Sequence, residues 1–171
     1  MIMDWQSPKD LQLPQAHIAH VWRLQLDVDE EQNRHWYDLL STEEKQCSHG
    51  RSSKRNRQYI ATRGLLRELL SRYLDLPPDK LILDASPFGK PLLSNQQNPH
   101  NLQFNLSHSG DSALFVFACD AEVGIDLEFP KPKPFREIAQ RFFHQQEFHY
   151  LSEQGEEQGL RDFFRYWTVK E

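Results

Sequence analysis

Residues 17–26 alternate Trp22, Leu24 and Leu26 with Arg23 and Gln25, a two-residue period that predicts a half-buried strand. A helix is expected over 29–40. Ser41-Thr42-Glu43-Glu44 carries capping-box spacing, so a second helix should start there. The clearest helix covers 54–74, where Tyr59, Leu65, Leu66, Leu69, Leu70 and Tyr73 recur at helical spacing before Leu76-Pro77-Pro78 ends the pattern. Short strands should follow at 81–83 and, after the turn signal Pro87-Phe88-Gly89-Lys90, at 91–93. Past a polar run at 95–101, apolar segments at 102–106, 113–119 and 123–129 predict three more strands. Lys131-Pro132-Lys133-Pro134 interrupts the chain, and helices are expected over 135–143, 145–152 and 156–171.

Runs of strands followed by runs of helices, rather than strict alternation, predict an α+β fold. The polar, aperiodic run at 95–101 is the natural boundary, giving expected domains at 1–98 and 99–171.

Composition narrows the class. The chain has 171 residues, 38 % of them hydrophobic and 26 % charged, which suits a globular protein. Its longest apolar run, 113–119, is far short of the roughly 20 residues of a membrane helix. No basic n-region or apolar block marks the N-terminus as a secretory leader. Cys47 and Cys119 make neither a disulfide framework nor a metal cluster. A soluble cytoplasmic protein with no membrane partner is expected.

Charge is unevenly placed. The net charge is −5, yet residues 45–72 hold eight Lys and Arg against the single acid Glu68. Residues 101–171 carry the whole excess of acid. Such a split suggests an anionic partner for one region and a cation for the other. The basic block also suits a solvated helix face or a nucleic acid. Against nucleic acid, the chain is acidic overall and lacks the aromatic-glycine signature of an RNA-binding sheet.

Several short motifs carry candidate chemistry. In Val123-Gly124-Ile125-Asp126-Leu127-Glu128 the two carboxylates share one strand face, and paired oxygen ligands suit Mg²⁺ or Ca²⁺. A solvated acidic edge strand fits the same pattern. On the last helix, Leu160, Phe163, Phe164 and Trp167 form an apolar stripe whose next position is Glu171, either a third ligand or a frayed end in water. Phe104-Asn105-Leu106-Ser107-His108-Ser109 reads as a short strand entering a polar turn. It does not resemble a nucleophile elbow, and it suits phosphate contacts or an ordinary turn. Phe88-Gly89-Lys90-Pro91 is a tight turn presenting one lysine, to a phosphate or to solvent.

Taken in order, these segments resemble the broad-specificity 4'-phosphopantetheinyl transferases, the surfactin-synthetase and heterocyst-glycolipid type. The matching pieces are Phe88-Gly89-Lys90-Pro91, Phe104 to Ser109, Val123 to Glu128, Arg141-Phe142-Phe143 and Trp167-Thr168-Val169-Lys170-Glu171. The resemblance implies a monomeric pseudo-dimer of two similar α+β halves, with coenzyme A and Mg²⁺ in the cleft between them. It implies transfer of phosphopantetheine from coenzyme A to a serine of an acyl or peptidyl carrier protein, releasing adenosine 3',5'-bisphosphate.

Carried over by position, Asp126, Glu128 and Glu171 would be the metal ligands, with Glu171 also the base for the carrier serine. Ser107 and His108 would contact the coenzyme's phosphates, His108 the 3'-phosphate. Gly89, Lys90 and Pro91 would hold the nucleotide. Arg57 and Arg63 would join the 3'-phosphate, and Lys170 the pyrophosphate. The family's last motif runs on to another lysine one helical turn later. Here the helix reaches Glu171 without a stop signal, so the sequence is expected to be a piece of a longer protein whose second half is incomplete. Two rival expectations stand beside the transferase: a nucleic-acid-binding module using residues 45–72, and a catalytically silent relative that binds carrier proteins.

Overall fold

Alternating burial along β1 (His20–Gln25) turns Trp22 and Leu24 inward. This strand pairs antiparallel with β5 (Ser112–Cys119), and β5 pairs antiparallel with β4 (Leu102–Ser109), giving the sheet order β1-β5-β4. The register sets Trp22 against Phe115 and Phe104 against Phe117, so the aromatic residues line one face. These features come from a computed structural model, which describes residues 11–49, 52–85 and 90–170.

Helices cover the aromatic face. α1 (Glu30–Leu39) and α2 (Thr42–Ser48) precede the long α3 (Ser53–Leu74). From α3, Ile60, Leu66, Leu69, Leu70 and Tyr73 join Phe104, Phe115 and Phe117 in one core, with the Tyr73 and Phe117 rings 4.9 Å apart. Trp36 of α1 packs onto Gly64, where an added Cβ would lie 2.2 Å from the Trp36 Cβ. The capping box at Ser41 is present: Glu44 N donates to Ser41 Oγ and Ser41 N to a Glu44 carboxylate oxygen. A small hairpin of β2 (Leu83–Ala85) and β3 (Pro91–Leu93) follows α3.

The chain divides into two compact units, Met1–Ile125 and Asp126–Glu171. That division falls later than the expected 98/99 boundary, because β4 and β5 belong to the sheet that contains β1. The polar run at 95–101 is a hydrogen-bonded connection. Asn98 both accepts from Leu102 N at 2.7 Å and donates to Leu102 O at 3.1 Å, and Gln97 bridges Ile82 N and Lys80 O.

Among its described residues, the regular elements of the second unit are helices, entered through the irregular segment 126–134. α4 (Phe135–Phe142), α5 (Gln145–Glu153) and α6 (Glu156–Lys170) share a core of Phe135, Ala139, Leu151, Phe163 and Phe164. The mixture of helix and antiparallel sheet is the expected α+β class. One expected strand is absent: residues 121–130 form no regular strand. Alternation decides which faces a segment presents, whereas a strand also needs regular ladder pairing, which is not formed over 121–130.

Candidate functional site

α2 and α3 supply many of the cations of the first unit, and the fold spends several of them internally. Arg67 is 1 % exposed. Its Nε pairs with Glu44 at 2.7 Å, and the same guanidinium donates to the carbonyls of Pro78 and Leu81. Lys54 pairs with Asp111 at 2.7 Å. Lys45 lies over the Tyr37 ring, and Arg63 over the Tyr59 ring at 5.7 Å. Arg57 is exposed and lines a cavity of about 380 Å³ with Arg34, His49 and Asn56.

Arg57 and Arg63 do not share a face. Six residues at about 100° each place them roughly 120° apart around the helix axis. The structure therefore gives one the cavity beside α1 and the other a ring contact.

Ser107 and His108 belong to β4 itself, not to a turn after it, and the turn is Gly110–Asp111. The reversal is a two-residue hairpin between Ser109 and Ser112, with Gly110 at φ 60, the left-handed region that a two-residue hairpin turn requires. Successive strand residues face opposite ways. His108 follows Phe104 and Leu106 on the face covered by α3 and emerges, exposed, beyond the core; Ser107 lies half-buried on the other face. The pair can meet two different phosphates but cannot aim both side chains at one.

Of the Gly89-Lys90-Pro91 turn, Gly89 lies outside the described residues. Lys90 Nζ reaches the carbonyl of Val123 at 3.5 Å. Pro91 is buried in β3 and lines a cavity of about 310 Å³ with Leu93, Gln103 and Phe104.

In the second unit, Asp126 and Glu128 are half-buried, and the Asp126 Oδ2 atom is turned away from solvent. Glu128 borders a cavity of about 500 Å³ with Arg161, Arg165 and Thr168 of α6. Glu171 lies outside the described residues. Among those described, no three His, Cys, Asp or Glu side chains gather as a metal cluster. Lys170 pairs with Glu147 at 3.0 Å and sits over the Phe143 ring at 5.3 Å. The Lys170 hydrogen bond, then the backbone N–H of His144, holds the Glu147 carboxyl below its usual range.

Sequence reasoning missed several polar residues. Asp162 is 5 % exposed and accepts from Tyr150 Oη at 3.0 Å and Gln158 Nε2 at 2.9 Å. Gln158 and Asp162 are four apart, a spacing visible in the sequence. Lys133 lies 4.5 Å above the Phe164 ring and 5.5 Å from those of Phe163 and Trp167, a site no local pattern announces. Among the described residues, no helix is long and apolar enough to cross a membrane.

Two family profiles match the chain. One, 4'-phosphopantetheinyl transferase, N-terminal, covers residues 28–120; the other, the 4'-phosphopantetheinyl transferase superfamily, covers 122–171. The 4'-phosphopantetheinyl transferase HetI of Nostoc sp. is 36 % identical over 167 residues, 96 % of this chain and 70 % of that protein. The 4'-phosphopantetheinyl transferase gsp of Aneurinibacillus migulanus is 29 % identical over 149 residues, 84 % of this chain and 60 % of its own length. In mouse, L-aminoadipate-semialdehyde dehydrogenase-phosphopantetheinyl transferase is 33 % identical over 121 residues, 66 % of this chain and 39 % of that protein.

Proposed function

Because the chain belongs to the 4'-phosphopantetheinyl transferase superfamily, we propose that it transfers the phosphopantetheine of coenzyme A to a serine of an acyl or peptidyl carrier protein. The serine Oγ–P bond forms, the bond between the two coenzyme phosphates breaks, and adenosine 3',5'-bisphosphate leaves. The observation that carries this reading is His108, exposed at the end of β4 on the face covered by the cationic α3. An imidazole and guanidinium groups there suit the 3'-phosphate of a nucleotide.

Each unit then has its own task. In the first, His108 and Arg57 meet the 3'-phosphate, Ser107 a phosphate on the opposite face, and Gly89, Lys90 and Pro91 border the nucleotide. Arg63 serves as a second, peripheral cation. In the second, Lys170 meets the pyrophosphate after exchanging its Glu147 partner for phosphate oxygen, and Glu171 takes the serine proton.

The donor set suits Mg²⁺. Asp126 and Glu128 offer hard carboxylate oxygens, one of them already turned inward, and Glu171 adds a third. The ion, when bound, offsets negative charge on the pyrophosphate.

Incubation with coenzyme A, Mg²⁺ and an apo-carrier should add one phosphopantetheine to the carrier, read by intact-protein mass spectrometry. No mass gain across fatty-acid, polyketide and peptide carriers would refute the proposal. Asp126→Ala and Glu128→Ala should abolish transfer with circular dichroism unchanged; full activity in both would remove the metal-ligand assignment.

A further inference from the structure

Asp111 occupies a junction of three elements. Its backbone carbonyl accepts from Leu26 N at 2.8 Å, just past the end of β1. Its carboxylate accepts from Lys54 Nζ at 2.7 Å and from Gln58 Nε2 at 2.9 Å, both on the first turns of α3. Gln58 Nε2 also donates to the Gly110 carbonyl at 3.0 Å. The hairpin turn that follows His108 is thereby tied to α3 by three contacts. The tie does little for stability, since the Lys54 and Asp111 side chains are 66 % and 43 % exposed. Its geometric effect is larger: without it, the hairpin tip keeps its backbone bonds to β5 and to Leu26 N but loses these side-chain links to α3, at a place where ladder bonds fray.

We infer that Asp111 and Gln58 are positioning residues that fix the His108 imidazole against the cationic first half of α3, and so set affinity for the 3'-phosphate of coenzyme A. The inference rests on the proposed transferase function. Neither residue touches the phosphate itself. A charge argument alone gives the opposite sign for Asp111: deleting an acid and freeing Lys54 beside an anion site would tighten coenzyme binding. Positioning predicts looser binding, so the direction of change decides between them.

The test is calorimetric titration of the full chain with coenzyme A and with 3'-dephospho-coenzyme A. Asp111→Ala and Gln58→Leu should each weaken coenzyme A by about fivefold, the order expected when a charge-assisted contact is loosened rather than removed. Affinity for the dephospho form should hold. Asp111→Asn, which keeps an acceptor for Gln58, should restore most of the loss. Glu68→Ala breaks another surface contact on α3, to His35 at 2.9 Å, and should move neither ligand.

Equal weakening of both ligands, no change, or tighter coenzyme A in Asp111→Ala would overturn the inference. A wild-type chain binding neither ligand would instead overturn the transferase reading. Wild-type chain binding both equally would remove His108 from the 3'-phosphate.

Discussion

Replacing Arg67 with methionine removes a charge from the interior at nearly constant volume. Arg67 and Glu44 side chains are 2 % and 12 % exposed, and their contact is 2.7 Å. Glu44 also caps α2 by accepting from Ser41 N at 3.0 Å. Arg67→Met strands that carboxylate and leaves the Pro78 and Leu81 carbonyls short of a donor. Breaking one side of a buried pair costs about 3–5 kcal/mol, a large share of the roughly 5–15 kcal/mol of a typical domain. With a urea slope of about 2 kcal/mol per molar, the midpoint should fall by about 1.5–2.5 M. Arg161→Met is the control, since its pair with Glu157 is 54 % and 87 % exposed and should cost under about 1 kcal/mol. Adding Glu44→Gln to Arg67→Met should recover part of the loss, because the stranded charge goes with it. If Arg67→Met moves the midpoint no further than Arg161→Met, the buried-pair reasoning is wrong.

Other expectations follow from single contacts. Gly64→Ala would gain about 1 kcal/mol of helix propensity in a free helix, but its Cβ would sit 2.2 Å from Trp36 Cβ; a thermal melt should show clear destabilisation, and a higher Tm would contradict the packing. Tyr73 Oη lies 2.9 Å from both His20 Nδ1 and Trp22 Nε1. The indole only donates, so neutral His20 accepts the phenolic proton, a tautomer assigned from this network. Burial lowers the His20 pKa from 6.5, so the unfolded chain binds the proton more readily. Stability contributed by neutral His20 is complete above about pH 6.5 and declines as pH falls through that value toward the folded pKa. The wild-type chain should therefore lose more urea resistance than His20→Gln between pH 7.5 and 5.5, and parallel losses would rule the linkage out. Burial also pushes the Tyr73 phenol up to about 12, and the hydrogen bond to Asp162 raises that of Tyr150, so ultraviolet titration should find Tyr73 still protonated where ordinary phenols have ionised, a component that Tyr73→Phe removes.

Local signals in the sequence carried much of this fold. The Ser41 capping box, the α3 stripe and the apolar segments of β4 and β5 depend on neighbours within a few residues, and each is present. Long-range pairing was less legible. The Val123–Phe129 alternation predicted a strand, but alternation carries no information about ladder pairing, and the segment forms no regular strand. Gln97 read as a linker residue because its hydrogen-bond partners, Ile82 and Lys80, lie well upstream, and Asn98 because no regular period marks its bonds to Leu102. Arg67 counted toward a basic surface until Glu44 and two carbonyls claimed it. For the candidate site, the sequence located Ser107 and His108, but not that strand geometry sends them to opposite faces. Arg57 and Arg63 looked equivalent in a list and differ by a third of a turn around α3.

The placement of the indoles gives the two units separate optical signatures. Trp36 is 4 % exposed, and its Nε1 has no acceptor among the described residues, so it emits from a buried setting. Trp22 is hydrogen-bonded to Tyr73 in the same unit. Trp167 lies in the other unit, stacked 5.6 Å from Phe163 with the Lys133 ammonium over its ring. Trp5 lies outside the described residues. Phenylalanine at all but one of the four indole positions leaves a chain whose fluorescence belongs to one unit. Melting recorded from Trp36 alone and from Trp167 alone then shows whether the units unfold as one cooperative body or in sequence.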